Sequence, residues 1–248
     1  MGLVEVTVLG AGDAFGSRGQ LQSGYYLKAG GFKLLMEAGP SVLAAMKREG
    51  LQPNDIDLVL ISHLHGDHFA GLPFLILDYL WEKPRRRKLM VAGPRHLESR
   101  TWRLFKAMYP RSDASAVRRR LQFVVLNPET SVRLGPVEVA AMRTPHTNPD
   151  VSLAFRLSAG GKTIAYSGDT GWTERLLTLA KKTDLFLCEC TYFQTRHRDF
   201  HLDYPLIEAN RSKFDAGRMV LTHAGGEVLD RRRELALEIA HDGMKITA

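Results

Sequence analysis

Apolar residues along this chain recur in short runs of two kinds, alternating and continuous, separated by glycine-rich or charged breaks. Residues 3–9 alternate through V-E-V-T-V, the period of a half-buried strand. Residues 25–29 and 32–36 read as two strands joined through Ala29-Gly30-Gly31, a hairpin signal that recurs at Ala159-Gly160-Gly161 between strands 151–157 and 162–166. Residues 58–61, L-V-L-I, form a continuous apolar run of strand length, as expected of a strand covered on both faces. Further strands are expected at 88–92, 121–126, 132–134, 137–142, 184–189 and 218–221. Helical patterns cover 40–49, 69–81, 94–109, 172–181, 203–213 and 227–240, the first of them stopped by Gly50. Residues 111–120 read as a charged connection. No linker or low-complexity segment separates the strand-rich first half from a second half of similar content, so residues 1–248 read as one domain. Periodicity alone gives a mixed α/β class.

Composition narrows the setting. With 44% apolar and 25% charged residues in 248, a sizeable core is available. No apolar stretch reaches the ~18 residues that a membrane span needs, and the N-terminus reads as a first strand rather than a leader. Cys188 and Cys190, two apart in L-F-L-C-E-C-T-Y, would share a face on a strand and are expected to be buried, reduced thiols. The expectation is a cytoplasmic, disulfide-free protein. A net charge of +7 gathers in three runs, Lys83 to Lys88, Arg118 to Arg120 and Arg231 to Arg233. Such runs favour an anionic substrate without choosing one. Aromatic residues are not interleaved with them in sequence, so no stacking platform for single-stranded nucleic acid is indicated.

The chemistry concentrates where the run 58–61 ends. His63, His65, Asp67 and His68 follow within six residues, a dense set of borderline-soft metal ligands. His63 and His65, at i and i+2, can point to one side of a tight loop, with Asp67 and His68 further round it. One loop can thus supply two ligands to each of two adjacent metals. His146, Asp169 and His223 each follow a different predicted strand. Singly they read as a loop histidine, a helix cap and a satisfied core group. Their shared position at strand ends lets residues remote in sequence converge on one edge. The glycines of G-A-G-D-A-F-G-S, residues 10–17, lack the helix and the lysine of a phosphate-binding loop.

H-L-H-G-D-H, preceded by a hydrophobic strand and followed by F-A-G-L-P, resembles the signature of the metallo-β-lactamase superfamily. Gly71-Leu72-Pro73, and L-G-A-G-D-A-F-G-S near the N-terminus, resemble the branch containing tRNase Z and related phosphodiesterases. The resemblance implies an αββα sandwich and a site with two divalent metal ions. Zinc suits the histidine-rich set, with manganese or iron left open. It assigns His63, His65 and His146 to one metal, Asp67, His68 and His223 to the other, and Asp169 to both. A metal-bridging hydroxide would act on the substrate, with Asp67 catalytic as well as ligating. His201 resembles an additional histidine of the tRNase Z group that contacts the scissile phosphate or protonates the leaving oxygen. Asp169 stands where one zinc β-lactamase subtype has cysteine, and F-A-G-L-P departs from the glyoxalase pattern. The long tRNA-gripping arm of tRNase Z has no room between Leu157 and Thr163.

The expected function is a metal-dependent phosphodiesterase on an anionic small-molecule phosphodiester. The alternatives are a tRNA 3′-end endonuclease acting on RNA, with the basic segments near Lys83 and Arg118 in the arm's role, a lactone or thioester hydrolase, and a metal-binding protein without turnover. No membrane partner is expected, and a homodimer is left open.

Overall fold

The period-two runs assemble into two sheets of seven strands each, in a computed structural model that describes residues 3–194, 196–197 and 199–248. The first sheet holds β1 (Val4–Gly10), β2 (Gly24–Ala29), β3 (Phe32–Met36), β4 (Leu58–Leu60), β5 (Leu89–Gly93) and β6 (Leu121–Val125). The second holds β7 (Thr130–Leu134), β8 (Val137–Thr144), β9 (Ser152–Ala159), β10 (Lys162–Tyr166), β11 (Thr183–Glu189), β12 (Ala216–Thr222) and β13 (Glu238–Ile239). The last strand, β14 (Lys245–Thr247), returns to the first sheet beside β1. Strand orders are β14-β1-β2-β3-β4-β5-β6 and β13-β12-β11-β10-β9-β8-β7.

Side-chain alternation decides what each face meets. Val4, Val6 and Val8 of β1 and Leu58 and Leu60 of β4 enter a core shared with Val137, Val139, Phe155, Ile164 and Leu187 of the second sheet. Leu35, Val59, Ile61 and Val91 point the other way, against α1 (Val42–Arg48), α3 (Leu72–Leu77) and α4 (Leu97–Met108). On the far side, Ala165, Phe186, Cys188 and Leu221 pack under α6 (Arg175–Ala180), α7 (Tyr204–Ala209) and α8 (Gly226–Asp230). The result is the αββα sandwich, with β4 buried on both faces and both cysteines buried as free thiols.

Three expected elements differ. The helix expected over 69–81 is broken into α2 (Gly66–Phe69), α3 and a π-helical turn at Asp78–Glu82. Docking of the loop on the end of β3 makes the break: Ala38 N–H donates to His68 O (2.7 Å) and Gly71 N–H to Ala38 O (2.8 Å). The helix expected over 227–240 stops at Asp230, because Glu238–Ile239 instead pairs with the open edge of β12. Tertiary pairing here outweighs local helical preference. Within 111–120 a short helix, α5 (Ser115–Arg118), forms.

The basic run at 83–88 is not uniformly a surface feature. Arg85 is buried over the Tyr79 ring and donates to the carbonyls of Asn54, Ile56, Arg87 and Lys88. It ties a loop together and is unavailable to a ligand.

Gly71 is required by close approach, since a Cβ there would lie 2.2 Å from Gly39 O and 2.7 Å from Ala38 O. Gly71→Ala should therefore cost about 1–3 kcal/mol of stability, read as a lower urea midpoint. It should also weaken metal retention, because the same contact holds the loop bearing Asp67 and His68.

Candidate metal centre

Parallel and antiparallel pairing together bring one end of several strands to a single edge. β8 and β10 both run antiparallel to β9, so both end on the side where β11 and β12, parallel to β10, also end. His146 follows β8, Asp169 follows β10 and His223 follows β12. Across the interface, Leu153 N–H donates to Ser62 O (3.0 Å), seating the 63–68 loop of the first sheet against them. All seven expected ligands meet there, in two groups: His63, His65, His146 and Asp169, and Asp67, His68, Asp169 and His223. Asp169 belongs to both.

The separations suit a metal. Two donors ~2.1 Å from a tetrahedral ion stand about 3.4 Å apart. In the first group His146 Nε2 lies 3.0 Å from His65 Nδ1 and 3.6 Å from Asp169 Oδ2, and His63 Nε2 lies 3.7 Å from the same oxygen. In the second, His68 Nε2 lies 3.2 Å from Asp67 Oδ2 and 3.3 Å from Asp169 Oδ1. His223 Nε2 lies 3.3 Å from Asp67 Oδ2 and 3.4 Å from Asp169 Oδ2. His63 Nε2, His68 Nε2 and Asp169 Oδ1 are buried without a hydrogen-bond partner. Buried polar atoms seldom stay unpaired, and these converge on shared points. The donor set fits divalent ions.

The opposite ring nitrogens are held from behind, which fixes ring orientation. His63 Nδ1 meets Ser62 Oγ (2.9 Å), His146 Nδ1 donates to Phe200 O (2.7 Å) and His223 Nδ1 meets Thr191 Oγ1 (2.9 Å). His68 Nδ1 lies 3.6 Å from Glu37 Oε1. His65 is the exposed member of the two groups and marks the opening.

Electrostatics here are those of a tight ion cluster. Burial opposes charge on Asp169, yet His223 and His68 hold its carboxyl well below the usual range, and His68 does the same for Asp67. Burial likewise opposes protonation of His68, but Asp169 and Asp67 raise it well above an ordinary histidine. His63, His65 and His146 are pushed down chiefly by burial. Dications bound by these donors would displace the cluster's protons and satisfy the same carboxylates.

His201, unlike the ligands, is fixed by a residue that the sequence reading passed over. Its Nδ1 lies 2.9 Å from Glu189 Oε1 and 3.2 Å from Thr191 Oγ1, and its ring centroid is 4.8 Å from that of His146 and 5.5 Å from that of His223. Burial lowers its pKa, but the Glu189 carboxylate beside it outweighs this and raises it to about 9. Glu189, His201 and His223 form a third close group. The Glu189 oxygens, however, already accept from Thr170 N, Thr191 N, Leu202 N and Thr191 Oγ1, so this group suits proton handling better than a third ion. The available signal was a carboxylate ending the apolar run L-F-L-C, at the same edge as the ligands. Glu37, also passed over, follows β3 directly in the left-handed region (φ 63°) and accepts from Ser62 N. His96, His197 and His241 lie outside these groups.

Glu189→Ala should leave buried N–H donors unpaired and cost about 3 kcal/mol or more, measured by chemical unfolding. Glu189→Gln should recover part of that loss.

A family model described as Anti-Pycsar protein Apyc1 matches residues 4–236. An uncharacterized protein of Mycobacterium tuberculosis, Rv1339, is 32% identical over 233 residues, covering 89% of this chain and 80% of its own. Among solved structures, the metallo-β-lactamase fold protein YhfI of Bacillus subtilis superposes with a TM-score of 0.79 at 22% identity, covering 100% of both chains. The short form of human tRNase Z, ELAC1, gives 0.76 at 24% identity, covering 98% of both. With the ligand set at the strand ends, the αββα sandwich and these matches together, the chain belongs to the Anti-Pycsar protein Apyc1 family, metal-dependent hydrolases of the tRNase Z and phosphodiesterase-like branch of the metallo-β-lactamase superfamily.

Proposed function

We propose that this protein is a binuclear phosphodiesterase that cleaves small anionic phosphodiesters, using two divalent ions, zinc by preference of the donors. The observation that carries the reading is the sharing of Asp169 by two four-donor groups. Two dications ~3.5–4 Å apart need negative charge between them, and a buried carboxylate common to both groups supplies it. When bound, such a pair lowers the pKa of water and neutralises charge on phosphoryl oxygens. Asp67, partly exposed with Oδ2 within 3.3 Å of His68 Nε2 and His223 Nε2, is placed to accept a proton at the mouth of the site. His201 supplies a proton on the leaving-group side. Glu189 and Thr191 occupy its Nδ1, which leaves Nε2 as the atom that can hand a proton to a departing oxygen.

Small substrates are favoured over tRNA by two features. β9 and β10 are joined by a tight turn at Gly160-Gly161, with no arm between them. The basic segments near Lys83 and Arg118 flank the starts of β5 and β6, at the far end of the sheet from the metal ligands, which follow the end of the parallel β4. A panel of dialkyl and aryl phosphodiesters, cyclic nucleotides, precursor tRNA and lactones tests the reading. Greatest efficiency on precursor tRNA or on lactones would overturn it.

Elemental analysis should find about two metals per chain, and Asp169→Ala should lose most of both. At most one metal after reconstitution would contradict the binuclear assignment. Chelation should abolish hydrolysis, and divalent metal should restore it.

His201→Ala should slow dialkyl phosphodiesters on the order of 10²-fold or more while retaining metal. Nitrophenyl esters, whose leaving group needs no proton, should suffer far less. Equal slowing of both classes would make His201 a phosphate-positioning residue instead.

A further inference from the structure

The two basic runs 83–88 and 118–120 are thirty residues apart in sequence and adjacent in space. β5 and β6 pair in parallel with Leu89 opposite Leu121, and Leu89 N–H donates to Arg120 O (2.8 Å), which sets Lys88 beside Arg120. α5 (Ser115–Arg118) packs against the π-helical turn Asp78–Glu82, which brings the segment leading into Arg119 and Arg120 beside the turn that precedes Lys83. Setting aside the buried Arg85, every basic side chain of both runs is exposed. Amid them stands Trp81, 71% exposed on that turn.

Acidic neutralisation on this face is incomplete. Arg87 pairs with Asp57 and Arg118 with Glu98, at 3.9 Å, while also lying over the Trp102 ring. Asp113 is engaged by Ser115 and feels Arg119, and Glu82 is exposed next to Trp81. Among the described residues, Arg86, Lys88 and Arg120 form no ion pair with a carboxylate. The face is mostly arginine, whose planar fork matches phosphate oxygens, and it includes one indole free to stack.

From this juxtaposition we propose a second binding surface, at the end of the sandwich opposite the metal centre, that docks the backbone of single-stranded nucleic acid, with Trp81 stacking on a base. It is a docking surface and not the substrate path. The five residues of β5 and of β6, at ~3.3 Å each, separate it from the catalytic edge by about 15 Å or more. Guanidinium predominance and a lone aromatic suit a polyphosphate chain better than a lipid surface, which would call for more exposed apolar side chains on the same face. The proposal does not depend on the phosphodiesterase reading.

The test is fluorescence anisotropy of a labelled 20-nucleotide oligodeoxythymidylate, checked for intactness after each titration, with purified full-length protein across 50–200 mM salt. Saturable, salt-sensitive binding is expected. Arg86→Ala with Arg120→Ala should weaken it about tenfold and flatten the slope of log K against log salt by about 1.4, two phosphate contacts at ~0.7 each. The charge-matched pair Arg232→Ala with Arg233→Ala should stay within about twofold of wild type. Trp81→Ala should weaken binding about fivefold or more with an unchanged salt slope, the signature of lost stacking. Hydrolysis of a small phosphodiester should be the same in all of these variants as in wild type. No saturable binding at 50 mM salt, or equal losses from the two charge-matched pairs, would overturn the proposal. So would patch-dependent capture on phosphatidylserine vesicles that the oligonucleotide does not compete away, which would reassign the face to lipid.

Discussion

Asp169 is the constraint around which the molecule is arranged. Its buried carboxylate lies within 3.7 Å of imidazole nitrogens from His63, His68, His146 and His223, drawn from three chain segments and both sheets. A charge so placed is tolerable only where opposite charge and well-aimed donors surround it. That requirement dictates that β4, β8, β10 and β12 end at one edge. It also dictates that the segments following them turn inward rather than continue into solvent. The cost is visible in the backbone: Gly168, just before Asp169, and His223 both adopt positive φ (56° and 52°). A Cβ on Gly168 would meet Leu153 O at 2.5 Å, so glycine is needed there. Backbone strain concentrated at such a site is held in place by the packing around it.

Behind the ligands, a second set of residues turns a cluster of donors into an oriented one. Ser62, Thr191, the Phe200 carbonyl and Glu37 each face the ring nitrogen that points away from the shared centre. Glu189 joins this set to His201, and through Thr191 to His223. One carboxylate therefore influences both the proposed proton donor and a candidate metal ligand. This follows from its place at the end of β11, between the strands that deliver Asp169 and His223.

β5 and β6, which run parallel to the ligand-bearing β4, carry no candidate ligand at their ends but have basic runs at their starts. The runs 83–88 and 118–120 therefore lie at the end of the first sheet away from the seven candidate ligands, whereas Arg231 to Arg233 follow α8, which begins just after His223.

Much of this was legible in the chain itself. Alternation in β1, the continuous run of β4 and the two glycine hairpins identify strands because side-chain direction on a strand has period two whatever its neighbours. H-L-H-G-D-H at a strand end declares metal chemistry because so many ligand types in six residues have few other uses. His146, Asp169 and His223 were legible only as strand-end residues that could converge; that they do so to within a coordination distance is a property of strand order and register. Glu189 and Glu37 gave little signal, since a lone carboxylate acquires its role from the N–H groups and rings folded around it. The segment 227–240 misled because its helical pattern is local, while the exposed edge of β12 that captures Glu238–Ile239 exists only after the sheet has formed. Nor could the sequence disclose that Arg85 is buried while Lys88 is brought beside Arg120 by the pairing of β5 with β6. Sequence fixes local periodicity and ligand chemistry, which depend on near neighbours along the chain; proximity between remote segments depends on sheet pairing, and only the tertiary structure decides it.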